Sequence, residues 1–102
     1  MKTTIEEKNG ALVAMFEGRL DTAASLQTAK DMEPLNDCGA GQDIILDCTR
    51  LEYISSSGLR LFLSVLKNAK PKGSKVFVSG LSGDLKSVFA MTGFFNLFEF
   101  KD

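Results

Sequence analysis

Three consecutive hydroxyls, Ser55, Ser56 and Ser57, precede a glycine and an apolar run in the segment ISSSGLRLFLSVLKNAK, residues 54–70. Four chemistries suit serines at the mouth of a helix. A serine can cap the helix by accepting a hydrogen bond from a first-turn N–H, which contributes about 1 kcal/mol. It can be a nucleophile where a base is held beside it. The free N–H groups and positive dipole end can hold an anion. The same geometry suits a phosphate attached covalently to a serine. Three hydroxyls in a row are more than one cap needs.

The nucleophile reading lacks its partners. The chain contains no histidine, so no Ser–His or Cys–His pair and no histidine metal ligand can be assembled. The string SSSGL is not the G-x-S-x-G elbow of hydrolases. Lysine or a carboxylate is left as a base. Cys38 and Cys48 are the only cysteines, and two distant thiolates do not complete a zinc site. The anion reading lacks the longer glycine-rich loop and the lysine of a phosphate-binding loop. Neither a catalytic residue nor a metal or cofactor of the chain's own is expected.

Bulk properties narrow the class. A chain of 102 residues suits one domain, residues 1–102, built on one core. Apolar residues make up 44% and charged residues 25%, an ordinary globular balance. The formal net charge of −1 creates no field that favours nucleic acid or an anionic membrane, so neither is an expected partner. The opening MKTTIEEKNG lacks the apolar core of a signal peptide. The cysteines form neither a disulfide framework nor a CxxC pair. These features lead to the expectation of a reduced, cytoplasmic protein, and a monomer is the favoured state.

The serines need elements to position them. TTIEEKNGALVAMFEG reads as two strands around an Asn9-Gly10 turn, the second running from Ala11 to Glu17 and ending at Gly18. RLDTAASLQTAKDMEPL turns helical, with Asp21 or Thr22 as cap and Leu26 and Ala29 on its apolar side; Pro34 stops or kinks it at Glu33. NDCGAGQ is a loop. DIILDC is a strand covered on both faces, or at least well buried, and TRLEYISSS leads from it to a helix starting near Ser57. Leu59, Phe62, Leu63, Leu66 and Ala69 recur there at helical spacing, Leu61 and Val65 widen the apolar side, and Arg60, Ser64, Lys67 and Asn68 form the polar stripe. Pro71 and Gly73 end that helix. KVFVSG is a strand, LSGDLKSVFAMTG a helix with Leu85, Val88 and Phe89 inward, and NLFEF a closing strand. The order β-β-α-β-α-β-α-β predicts an α/β fold: a mixed, mainly parallel sheet with an N-terminal hairpin, covered by helices.

In order along the chain, FEGRLDTAAS, DIILDCTRLEYISSSGLRLFLSVLK and GSKVFVSGLSGDLKSVFAMTGFFNLFEF together resemble the STAS domain of anti-sigma-factor antagonists. The resemblance implies a switch rather than an enzyme. Such proteins bind an anti-sigma factor and free the sigma factor it holds. The anti-sigma factor is typically also a serine kinase that uses ATP to phosphorylate the antagonist, and a serine phosphatase resets it. The family's phosphoacceptor, the first serine after the aspartate of D-S-S-G, corresponds to Ser56; Ser57 and Gly58 match the next two positions. Asp21 matches an aspartate at the partner-facing surface; Thr22 beside it, the Ser55, Ser57 and Gly58 positions of the motif, and Arg60 on the polar stripe are the further candidate partner contacts. Ser55 stands where many members carry aspartate. That departure makes Ser55, like Ser57, a second candidate acceptor. It also keeps an alternative open, a non-phosphorylated STAS accessory or scaffold subunit of a transporter or lipid-trafficking system.

Overall fold

Asn9 and Gly10 both adopt positive φ, 53° and 82°, the pair of angles a two-residue hairpin turn requires. They join strand β1, Lys2–Lys8, to strand β2, Ala11–Leu20, in antiparallel register from Lys2↔Glu17 to Lys8↔Ala11. The computed structural model describes residues 1–101, the Phe95 side chain excepted. After β2 come helix α1, Thr22–Asp31, strand β3, Ile44–Ile54, helix α2, Ser56–Ala69, strand β4, Val76–Ser79, helix α3, Gly83–Met91, and strand β5, Glu99–Lys101. Short 3-10 turns occupy Glu33–Asp37, Lys70–Lys72 and Phe94–Asn96. The expected order of strands and helices is therefore present.

The five strands lie in sequence order, β1-β2-β3-β4-β5, and every pair after the first is parallel. Right-handed crossovers between successive neighbours carry all three helices to one face of the sheet. Burial alternates accordingly. Ile44, Leu46 and Cys48 of β3 and Val76 and Val78 of β4 join the core, whereas Met15, Ile45 and Phe77 lie half-buried outside it. β3 is thus well buried but covered on one face only.

Two strands outrun the sequence expectation. β2 continues through Gly18 to Leu20. β3 absorbs Thr49–Ile54, because its pairing with β2 skips a residue between Met15 and Glu17 and again between Gly18 and Arg19. Each skip adds one residue to β3 and keeps the strand paired while breaking its alternation.

α2 is the core's main wall. Leu59, Phe62, Val65, Leu66 and Ala69 are buried, and Phe62 packs its ring between Phe16 of β2 at 5.1 Å and Phe89 of α3 at 6.2 Å. α1 departs from expectation. Its buried residue is Thr28, and Leu26 is 78% exposed. Ala24, Thr28 and Met32 form the stripe that meets the core; at about 100° per residue, Leu26 sits on the far side of the helix.

Candidate functional site

The serine run begins where β3 ends. Ile54 pairs with Leu20, the last residue of β2, and the Ser55 N–H donates to the Leu20 carbonyl at 2.8 Å. That bond places the β2–α1 and β3–α2 junctions side by side at one edge of the domain. Adjacent strands lie about 4.8 Å apart, so Asp21 and Ser55, one residue beyond each strand, are neighbours at the carboxyl ends of parallel strands. In open α/β sheets this is where functional loops gather.

The three serines have three different environments. Ser55 is extended, with φ −89° and ψ 172°, and only 9% exposed. It is the N-cap of α2: its hydroxyl accepts from the Gly58 N–H at 3.2 Å and its carbonyl from the Leu59 N–H at 2.9 Å. Ser57 is half-buried. Ser56, the first residue of α2, is exposed, and its hydroxyl has no hydrogen-bond partner among the described residues. The helix therefore starts at Ser56, in agreement with the expected start near Ser57, and of the three serines Ser55 is the cap.

Gly58 explains how α2 seats so closely. A Cβ there would lie 2.7 Å from Leu20 Cγ and 2.8 Å from Ile54 Cγ1. Both contacts are too short for carbon atoms, so only a bare Cα lets the first turn rest on the ends of both strands.

At the adjoining junction Asp21 caps α1, accepting from the Ala24 N–H at 2.8 Å. Asp21 is half-buried and Thr22 exposed. Arg60 is exposed on α2 and makes no ion pair among the described residues, where Lys8–Glu6 and Arg50–Glu17 are the salt bridges formed. The structure thus brings Asp21, Thr22, Ser55, Ser56, Ser57, Gly58 and Arg60 to one end of the molecule. Sequence reasoning missed two more residues there. Arg19 and Tyr53 pair across β2 and β3, with the Arg19 guanidinium 4.5 Å from the centre of the Tyr53 ring, itself 41% exposed. Their partnership depends on the shifted register, which no local pattern announces.

The chemistry available is limited. Asp21, the carboxylate of the neighbouring junction, is engaged in capping, and no imidazole exists in the chain. Cys38 and Cys48 are free thiols, both buried. Burial first, and the nearby Asp47 charge second, push the Cys48 thiol far above its ordinary range, so it stays neutral and unreactive at physiological pH. Among the described residues no group of three or more His, Cys, Asp or Glu side chains could hold a metal, and no helix is long and apolar enough to cross a membrane. What the site does present is one exposed, unengaged hydroxyl on the first turn of a firmly seated helix.

This fold and this junction define a class, the α/β domains whose mixed, mainly parallel sheet offers a serine-bearing helix start. The family model described as the STAS domain matches residues 2–102. The chain belongs to the STAS-domain family, and within it to the group of anti-sigma factor antagonists. It is 32% identical over 98 residues to BtrV of Bordetella bronchiseptica, a candidate anti-sigma factor antagonist, covering 96% of this chain and 84% of that one. It is 27% identical over 101 residues to the anti-sigma-B factor antagonist of Listeria monocytogenes, covering 96% of this chain and 86% of the relative. Its fold matches the Bacillus cell fate determinant SpoIIAA in the phosphorylated form, with a TM-score of 0.73 at 22% identity over 99% of this chain and 92% of the other.

Proposed function

We propose that this chain is an anti-sigma factor antagonist, a non-enzymatic regulator that binds an anti-sigma factor with serine-kinase activity and is switched off by phosphorylation of Ser56. One observation carries the acceptor assignment. Of three adjacent serines, Ser55 is buried in capping, Ser57 is half-buried, and Ser56 alone is exposed. The names of the relatives support the partner class. The partner kinase supplies ATP, a serine phosphatase resets the chain, and the chain needs no cofactor. The setting is the cytoplasm, with no role for nucleic acid or direct membrane binding, and the chain acts as a monomer.

In this reading Asp21, Thr22, Ser56, Ser57 and Arg60 face the partner, while Ser55 and Gly58 contribute by holding the first turn in place. Phosphorylation adds about −1.5 to −2 charges and three strong acceptor oxygens. The helix dipole tolerates that charge locally, but at an interface it must be desolvated and set beside Asp21. Ser55 in place of aspartate specifically favours the second reading, a non-phosphorylated accessory or scaffold subunit. Intact mass after incubation with the host's kinases separates the two.

The test of the switch is titration calorimetry with the partner recovered from the native host. Wild type and Ser56→Ala should bind alike, phosphorylated chain roughly five- to 150-fold more weakly. Ser56→Asp should fall between, since a carboxylate carries less charge than a phosphate. Equal affinity for phosphorylated and unphosphorylated chain would sink the switch. Phosphate found on Ser55 or Ser57 would keep the switch and move its site.

A further inference from the structure

Ser56 and Arg60 stand four residues apart on α2, and both are exposed. Residues i and i+4 share a helix face, and the rise between them is about 6 Å. Helical side chains lean toward the N-terminus, so the turn that carries Ser56 is within reach of the Arg60 side chain. Its guanidinium makes no ion pair among the described residues. The other charges near this end are committed or of the wrong sign for an anion. Arg19 lies over the Tyr53 ring, Asp21 caps α1, and Glu52 precedes Tyr53 on β3.

We infer that Arg60 is the internal clamp for the phosphate on Ser56. This rests on the reading of Ser56 as the acceptor and adds how the modified state is held. An anion at the helix start with a cation four residues later is the favourable order for such a pair. A guanidinium can meet two phosphate oxygens with two parallel N–H donors, which an ammonium cannot. In the unmodified protein Arg60 projects freely from the polar stripe and is available to an acidic group of the partner. In the phosphorylated protein it turns inward along its own helix. Phosphorylation then alters two features of the docking face at once: it adds negative charge at Ser56 and withdraws the positive charge of Arg60.

The experiment uses the full chain with phosphoserine incorporated at position 56 during synthesis, so neither kinase nor partner takes part. The phosphorus resonance is followed through the second phosphate ionisation, near pH 6 in free phosphoserine, at low ionic strength. A clamp favours the dianion, so the wild-type midpoint should lie below that of Arg60→Gln by at least about 0.2 pH unit. The gap should shrink in molar salt. Arg60→Lys should recover part of it, and Lys67→Gln, three turns along the same stripe, should change nothing. The Arg60 side-chain N–H resonances should also shift on phosphorylation. Coincident midpoints in wild type and Arg60→Gln overturn the clamp, as does a gap abolished by Arg19→Gln instead. Because the partner is absent, these outcomes are independent of the calorimetric test: the switch can hold without the clamp, and the clamp without the switch.

Discussion

The two strand-to-helix junctions at the site, β2–α1 and β3–α2, are built on one plan with opposite emphasis. Each strand ends in a buried apolar residue, Leu20 or Ile54, followed by a side chain that caps the next helix, Asp21 or Ser55. The first cap is charged and half-buried, and its helix touches the core through a thin stripe that leaves Leu26 in solvent. The second cap is neutral and buried, and its helix is pressed against both strands through Gly58. The comparison separates rigidity from display. α2 is a fixed platform whose seated first turn displays the exposed Ser56 hydroxyl, whereas α1 is more lightly anchored, with a capping carboxylate before it and Leu26 in solvent.

The largest expected effect sets the two helices against each other. Phe62→Ala removes a ring packed between Phe16 and Phe89 and should cost about 3–5 kcal/mol. Leu26→Ala should change stability by no more than about 0.5 kcal/mol, because that side chain is already in water. Urea unfolding of the two variants measures both. A costly Leu26→Ala would erase the contrast.

Seating comes next. Gly58→Ala forces a methyl against Leu20 and Ile54, both buried, and should destabilise by about 1–3 kcal/mol as overpacking does. Amide exchange should show the loss concentrated in the first turn of α2 and at the Ser55 N–H. Gly83 meets nothing within 4 Å where a Cβ would be built, so Gly83→Ala in α3 is the control and should be neutral or slightly stabilising.

The caps themselves are closer in size. Ser55→Ala and Asp21→Ala each remove one acceptor from a first-turn N–H and should cost about 1 kcal/mol. They should respond differently to salt. The Asp21 carboxylate also interacts with the positive end of α1, a contribution that added salt screens, while neutral Ser55 has none to screen. Melting both variants in low and high salt sharpens the distinction; identical salt responses would remove it.

Much of this arrangement was readable before any coordinates, and what was not has physical causes. The Asn9-Gly10 turn, the order of elements and the helix start beside Ser56 follow from strong local signals. The continuation of β3 was hidden because its core residues beyond Cys48, namely Leu51 and Ile54, fall three apart. Each register skip inserts a residue, so the period-two pattern of a strand disappears where the strand continues. Leu26 misled for a related reason: residue type suggested which side of α1 is apolar, whereas tertiary packing buried Thr28 instead. The Arg19–Tyr53 pairing was out of reach because it exists only once those skips bring Tyr53 opposite Arg19. Of the serines, the sequence showed three hydroxyls, and only their hydrogen bonds and exposure distinguish cap from acceptor.

The smallest expected effect is at Ser56. Its hydroxyl makes no hydrogen bond among the described residues, and the cap of α2 belongs to Ser55. Ser56→Ala therefore removes no capping interaction and places a better helix former at the first helical position. Stability should stay within about 0.5 kcal/mol of wild type, against roughly 1 kcal/mol for Ser55→Ala one residue away. Paired urea titrations at one pH and salt concentration measure the difference directly. If the two substitutions cost the same, the division of labour between buried cap and free hydroxyl fails. If Ser56→Ala proves the more costly, Ser56 is a structural residue and a weak choice of phosphoacceptor. A near-neutral Ser56→Ala beside a damaging Ser55→Ala is the pattern of a hydroxyl retained for something other than folding.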